Sequence, residues 1–321
     1  MKEQIFQYIQ QKGQATIKEL AEVFSIQYRM IQYHLANLVT QGKIQKVGKV
    51  PKVFYVPSPS KILTDEGIEC PKEALPIIES EFLFISSIGE RTYGWTGFQM
   101  WCNDRGYDSV KKAGEYKELW QSYEQERIDG FFSGTKKIID TFHDDVLNAL
   151  VYIDFYALPV FGKTKIGQLL LYAKQSQNRT IIDEIISIAR PKILAYIIEH
   201  EIEAIGFISP SIKRKVQFMN ILRDKLNIQL PRISIEKAYT DIVRPQKTLS
   251  KLSERIENAR DTMFISSRES YRNILLIDDA VGSGATLHEV AKKIKHLSIA
   301  KNVHGLSITG SAKGFDIISE V

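Results

Sequence analysis

Cysteine is nearly absent. Cys70 and Cys102 are the only two in 321 residues, too few for a disulfide framework or a four-cysteine zinc site, which points to a reducing cytoplasm. Long apolar runs are missing as well, and the start, MKEQIFQYIQQKG, has no signal-peptide core. The greasiest stretch, VLNALVYIDFYALPVF, is broken by Asn148, Asp154 and Pro159 and falls short of the roughly 20 residues a spanning helix needs. Internal repeats and low-complexity tracts are also lacking, which excludes solenoid and fibrous designs. Most of the chain has no excess of either charge. Residues 1–57 hold eight Lys/Arg against three Asp/Glu, and this segment accounts for the whole net charge of +5. What remains is an ordinary globular composition, 44% hydrophobic and 25% charged, at a length that suits two or three domains.

At the amino end, apolar residues at helical spacing run through Ile5–Ile9 and TIKELAEVF, where Thr16 is a candidate N-cap with Glu19 three residues later. Next, QYRMIQYHLANLVTQGKI puts Ile31, Leu35 and Leu38 on one face of a helix over 27–40, leaves Tyr28, Arg29, Gln32 and Tyr33 on another, and ends at Gly42. The following KIQKVGKVPKVFYVP alternates apolar and basic residues about Gly48-Lys49, as two strands of a basic hairpin do. ELAEVF, the LANL helix and QGKI, in that order, resemble the winged helix-turn-helix of DeoR-type bacterial regulators over about the first 57 residues. The resemblance implies that the 27–40 helix enters the major groove of DNA while Lys43, Lys46, Lys49 and Lys52 meet phosphates. The plainer alternative is a protein-contact domain whose lysines keep it soluble. Charge concentrated where the fold would present it favours nucleic acid.

PSPSK, residues 57–61, is a turn-rich run suited to a boundary. The sequence thus divides into 1–57, a linker and aromatic-rich middle region 58–161, and a third part 162–321. The middle holds all three tryptophans, an aromatic patch, RTYGWTGFQMWCNDRGYD, and a polar helical pattern, EYKELWQSYEQERIDGFF. Tyr93, Trp95, Phe98, Trp101 and Arg105 have the composition of a base-stacking surface or partner groove, although burial is the commoner fate of clustered aromatics. The triplet His143-Asp144-Asp145 contains metal-ligand residue types, but sequence neighbours diverge around a helix. It reads as solvated surface, and no metal site built by the protein alone is expected.

The chemistry concentrates in ILLIDDAVGSGATL, residues 274–287. Ile274 to Ile277 suits a buried strand of a parallel sheet, and Thr286 to His296 reads as a helix with Leu287, Val290 and Ile294 on its buried face. Two acids and a loop of small residues therefore lie between a strand's carboxyl end and a helix's amino end, where open α/β sheets bind ligands. Gly282, Ser283, Gly284 and Ala285 leave backbone N–H groups unobstructed, and Ser283 and Thr286 add hydroxyls at the positive end of the helix dipole. That is a phosphate cradle. Carboxylates beside a phosphate repel it unless neutral hydroxyls intervene, and vicinal ribose hydroxyls do so. The ligand this pattern calls for is a ribose 5-phosphate.

These residues resemble the phosphoribosyl pyrophosphate (PRPP) motif of type I phosphoribosyltransferases. The resemblance implies an α/β domain with a parallel sheet flanked by helices, Asp278 and Asp279 as the catalytic acids on the ribose hydroxyls, and Gly282, Ser283, Gly284, Ala285 and Thr286 on the 5-phosphate. Gly282-Ser283 stands where Thr-Thr is usual, one hydroxyl fewer. Receiver domains share a strand followed by acids but lack the glycine-rich helix start. RPQKTLSKLSERIENARDTMF, residues 244–264, is similar to the ComF and amidophosphoribosyltransferase-like branch at Arg244, Gln246, Leu249, Arg255 and Asn258. IGQLLLYAKQSQ offers Lys174 where that branch has its early lysine, so the likeness runs from about Lys163 onward. It further implies that EAIGFISPSIKRK is the pyrophosphate loop, with Ser209, Ser211, Lys213 and Arg214 near the phosphates and Mg²⁺ bound with PRPP. Cations and amides there favour the transition state, because the leaving pyrophosphate gains negative charge. The Arg-Gly-Phe-Asn-Gln of the family is KVQFMN here, which keeps Phe218 and loses the Arg and Gly. A winged helix replaces the zinc ribbon usual in ComF relatives.

A winged helix ahead of such a domain resembles two architectures. Effectors of bacterial anti-phage conflict systems, including those that accompany retron reverse transcriptases, imply a toxin-like enzyme acting on a nucleotide or base. Its partner would be a reverse transcriptase with RNA-linked DNA, in a homo-oligomer or a larger complex. The Gram-positive purine repressor implies instead a PRPP-responsive DNA-binding regulator without catalysis. A scaffold with a vestigial pocket is a third reading, against which the intact Asp278-Asp279 pair argues. The large aromatic-rich middle suits a complex-forming effector better than a simple sensor.

Overall fold

The computed structural model describes residues 1–49, 52–58, 68–210, 214–238, 249 and 251–312. The chain divides into two compact units, Met1–Cys70 with Phe98–Val110, and Pro71–Gly97 with Lys111–Val321. Among the described residues no helix is long and apolar enough to cross a membrane.

In the first unit, helices Lys2–Lys12, Ile17–Phe24 and Tyr28–Thr40 precede an antiparallel hairpin of Ile44–Lys49 with Lys52–Pro57. This is a winged-helix arrangement. Thr16 caps the second helix as its spacing predicts, its hydroxyl accepting the Glu19 N–H at 3.2 Å. Ile31, Leu35 and Leu38 repeat at the helical period, are fully buried, and share a core with Ile5, Ile9, Leu20 and Ile44. Ala15 and Tyr55 exchange both backbone hydrogen bonds, at 2.9 and 2.8 Å, which ties the hairpin to the helices. The same unit answers part of the aromatic question. Phe98 and Trp101 are buried, and the Arg105 guanidinium lies 4.8 Å from the Trp101 ring centre, so this part of the patch packs.

The second unit is built on a seven-stranded sheet. Reading across it, the strands are Arg232–Ile233, Ala204–Phe207, Tyr271–Val281, Ala300–Gly310, Ala149–Phe155, Phe131–Ser133 and Arg127–Ile128. The first five run parallel, and the last two are joined by antiparallel pairings, so the domain is α/β with a mostly parallel sheet, as expected. Residues 127–155, grouped with the middle region in the sequence, supply three of these strands. The polar pattern EYKELWQSYEQERIDGFF is correspondingly not one helix. The helix Ser109–Glu124 stops, and Asp129-Gly130, with φ of 50° and 83°, turn a hairpin in which Ile128 faces Phe131. An Asp-Gly pair is the two-residue turn that right-twisted strands favour.

Strand alternation sends side chains to two faces. Leu275, Ile277, Leu306 and Ile308 form one core with the helices Lys165–Ser176, Arg179–Glu199 and Phe218–Leu226. On the other face, Gly305 admits the helix Ala285–His296: a Cβ there would stand 3.5 Å from Leu287 and 3.0 Å from Leu150. The chain steps outward from Ala204–Phe207 to Arg232–Ile233, then returns to lay Tyr271–Val281 on the opposite side of Ala204–Phe207. Such a reversal opens a crevice at the carboxyl ends of the two adjacent strands, and α/β sheets bind ligands there.

Candidate functional site

The strand Tyr271–Val281 outlasts its apolar run. It stays paired with Ala300–Gly310 until Val281 meets Gly310. Asp278 and Asp279 therefore lie inside the strand rather than after it, because a parallel neighbour invisible in the local pattern prolongs the pairing. Asp279 reaches the helix Lys165–Ser176 and forms an ion pair with Lys174 at 2.8 Å, the two side chains being 18% and 15% exposed. The Asp279 N–H donates to Asp278 Oδ1 at 2.8 Å. Burial, and after it the neighbouring Asp279 charge, push the Asp278 carboxyl up from the usual range, and the Asp279 amide and Lys174 offset this only in part. The two acids are thus unequal: Asp279 has its cation, and Asp278 has the Asp279 amide.

Only Gly282-Ser283-Gly284 separate this strand from the helix Ala285–His296, which starts one residue before the expected Thr286. Gly284 is the N-cap at φ 73°, in the left-handed region that glycine adopts without strain. The Ala285 N–H reaches the Ser283 hydroxyl at 3.5 Å, and the His288 N–H donates to the Gly284 carbonyl at 2.9 Å. The first turn carries no acid, while Lys293, Lys295 and His296 occupy the last, so the helix presents its positive dipole end to the loop. Gly282, Ser283, Gly284, Ala285 and Thr286 form one continuous turn at the helix start.

The other sequence candidates divide. Ser209 follows the strand beside the acid strand and donates its hydroxyl to the Ile235 carbonyl at 2.6 Å. Arg214 is half-buried ahead of the helix Phe218–Leu226. Ser211, Lys213 and Arg244 lie outside the described residues. Arg255 turns inward within the helix Leu252–Thr262 and donates its Nε–H to the Leu249 carbonyl at 2.8 Å, and burial pulls its guanidinium down from the ordinary value. The structure therefore joins Lys174 to the acid pair and ties Arg255 to Leu249.

On the winged helix, Tyr28, Arg29, Gln32, Tyr33 and Lys46 are all exposed. Lys43 instead turns back to Glu3 at 2.8 Å and lies over the Phe6 ring, so its charge is already partnered. Lys49 and Lys52 face each other across the hairpin; their side chains lie outside the described residues.

Two acidic groups escaped the sequence reading. Asp144 is not simply solvated, because both its carboxylate oxygens stand 3.0 Å from Nε2 of the buried His288. Asp154, taken above only as an interruption of an apolar run, is buried on the strand Ala149–Phe155 in register with Thr309. Burial pushes its carboxyl up to about 7 against the opposing pull of the Phe155 N–H and Arg127. A lone acid inside the otherwise apolar run ALVYIDF was the available signal. Among the described residues, no group of three or more His, Cys, Asp or Glu is arranged to hold a metal ion.

Residues 2–52 match the family of FeoC like transcriptional regulators, so the winged-helix expectation stands on a different regulator family from the DeoR type. No curated protein matches the chain. Similar solved structures include a purine phosphoribosyltransferase from Pyrococcus horikoshii Ot3, with 14% identity, a TM-score of 0.24, and 43% of this chain and 77% of that one covered. Another is a hypoxanthine phosphoribosyltransferase from Staphylococcus aureus, with 12% identity, a TM-score of 0.27, and 43% and 70% covered.

Proposed function

We propose that the second unit binds a ribose 5-phosphate compound, PRPP or a ribonucleotide, and transfers its phosphoribosyl group, while the winged helix holds the protein on nucleic acid. One observation carries this reading: a glycine-capped helix start follows directly on a strand whose two acids are unequally compensated. Lys174 neutralises Asp279. Asp278 is left as the carboxyl whose charge is desolvated, and vicinal ribose hydroxyls are neutral donors of the right kind for it. The amides of the Gly282–Thr286 turn suit the 5-phosphate. For a leaving pyrophosphate, Ser209 and Arg214 are the described candidates, and Ser211, Lys213 and Arg244 belong to the same proposal.

Magnesium fits this donor set as an ion held chiefly by the ligand's own oxygens, with Asp278 as the protein carboxylate able to join them. When bound it would neutralise charge on the departing pyrophosphate. The chain's own residues orient the sugar at Asp278 and hold the phosphate at the helix start.

In its fuller form the reading makes the protein a toxin-like effector of an anti-phage system such as a retron. It would act in the cytoplasm on a nucleotide or base, in complex with a reverse transcriptase and its RNA-linked DNA. The large aromatic-rich region between the winged helix and the acid strand supports it. A second reading, a PRPP-responsive regulator without turnover, is favoured by the match of residues 2–52 to a transcriptional-regulator family. Incubation with PRPP, Mg²⁺ and candidate bases or nucleotides separates the two. Pyrophosphate release with a ribosylated product supports the effector, and PRPP-dependent release of DNA without product supports the regulator. No binding of any ribose phosphate contradicts both.

A further inference from the structure

Lys237 ends the strand Ile235–Lys237, which pairs antiparallel with Met263–Ile265 and sets Lys237 opposite Met263. Strand alternation puts Ile235 and Lys237 on one face, and both Ile235 and Met263 are buried. The Lys237 stem thus lies among apolar side chains. Its Nζ is buried with no hydrogen-bond partner among the described residues, and burial, with no charge to offset it, pulls the ammonium down from its ordinary value. Two other lysines of this unit are provided for: Lys174 pairs with Asp279, and Lys293 donates to the Arg260 and Met263 carbonyls. An ammonium has three donors and no acceptor, so enclosing one unpaired is costly and needs a cause beyond packing.

Three contacts place this lysine at the carboxyl edge of the sheet. Ile233 pairs with Gly206 in parallel, and two residues on, the Ile235 carbonyl accepts the Ser209 hydroxyl at 2.6 Å, so the chain advances outward alongside the strand Ala204–Phe207. A Cβ on Gly206 would stand 2.7 Å from Ile235 Cδ1 and 2.9 Å from Leu276 Cδ2, so Ile235 and Leu276 meet over Gly206 on one face. Two residues further out from them come Lys237 and Asp278, each on that same face by strand alternation. Lys237, Ser209 and Asp278 therefore follow one another along the edge. The charges acting on Asp278 are those of Asp279 and Lys174, so Lys237 stands apart from the acid pair and does not neutralise it.

We propose that Lys237 is a second anion seat, separate from the Gly282–Thr286 turn, and that it takes the diphosphate of PRPP. The ligand's identity rests on the function proposed above; the need of the buried ammonium for an anion does not. A sugar with phosphate at both ends serves both seats at once. Ribose 5-phosphate and the ribonucleotides carry their phosphates at one end only and leave Lys237 unpaired. Within the two ligand classes considered above, the lysine thus selects PRPP, and an anion reaching it forms charge-assisted hydrogen bonds where water competes least.

Calorimetry of the full chain with Mg²⁺ compares PRPP with ribose 5-phosphate in the natural protein and in Lys237→Met, which keeps an apolar stem and deletes the ammonium. The natural protein should bind PRPP roughly tenfold more tightly than ribose 5-phosphate, or better. Lys237→Met should lose that margin with its ribose 5-phosphate affinity level, and it should melt no lower than the natural protein, since it sheds an unpartnered buried charge. PRPP binding no tighter than ribose 5-phosphate, or equal PRPP affinity in variant and natural protein, overturns the proposal. So does a variant that loses both ligands together or melts earlier, which is the mark of a purely structural lysine. If neither sugar phosphate gives heat with the natural protein, the ligand reading fails by itself, and magnesium pyrophosphate decides the seat. A rise in melting temperature in the natural protein and none in Lys237→Met upholds it; no rise, or an equal rise in both, refutes it.

Discussion

At the scale of single residues, the site is governed by which carboxylate has a cation. Replacing Lys174 by Ala strands the Asp279 charge, and the expected loss is on the order of 3 kcal/mol of stability, read by urea denaturation, together with weakened ribose 5-phosphate binding. Asp278→Asn should act in opposite directions on the two quantities. Above about pH 7 it removes a desolvated charge and raises the melting temperature, while it weakens sugar binding because an amide oxygen is a poorer acceptor. Asp154 gives a pH test independent of any ligand. Its carboxyl gives up its proton at about 7 in the folded protein against an ordinary 3.8. Folding therefore takes up a proton between those values, so this residue's contribution to stability falls as pH rises through that window and is level above it. Asp154→Asn should cancel that slope and be more stable at pH 8, by on the order of 4 kcal/mol at most; identical pH profiles would count against the assignment. The placement of Asp278 and Asp279 just ahead of the glycine loop was legible because strand, acids and loop are contiguous in sequence. The Asp144–His288 contact was not, since its partners are brought together only by the sheet.

At the scale of elements, local rules carried far. Thr16 with Glu19 announced a helix start, and Ile31, Leu35 and Leu38 announced its neighbour's buried face. Where the local reading fell short, a distant partner decided. The acid strand runs to Val281 because Ala300–Gly310 pairs with it that far. The hairpin at Asp129-Gly130 was hidden inside a polar stretch that also contains a real helix. Lys174 came to attention through resemblance, and no periodicity links it to Asp279; the helix Lys165–Ser176 supplies that link by packing on the face to which Leu275 and Ile277 point. The turn at Gly284 is the element most open to a direct test. Gly284→Ala forces a side chain into φ 73° at a cost of about 1 kcal/mol. Phosphate affinity should drop more than stability does, as calorimetry set beside thermal melting would show. Equal affinity in variant and natural protein would remove this turn from the anion site.

At the scale of the whole molecule, charge and chemistry are kept apart along the chain. The net positive charge belongs to residues 1–57, while the acid pair and the glycine-capped turn after it belong to the second unit. Charge counting found the first feature but overstated one part of it, since Lys43 is drawn to Glu3. Arg29→Ala combined with Lys46→Ala should weaken nucleic-acid binding and reduce its salt slope by about two, leaving the heat of ribose 5-phosphate binding unchanged. An unaltered salt slope would place the nucleic-acid surface elsewhere. The central claim is that a sugar phosphate is held by Asp278 and the helix start after it. Titration calorimetry of the natural protein and of Asp278→Asn with PRPP and Mg²⁺ tests this most directly: saturable heat in the natural protein, with affinity at least tenfold weaker in the variant, is the predicted result. The absence of heat in the natural protein, or equal affinity in both, would contradict it.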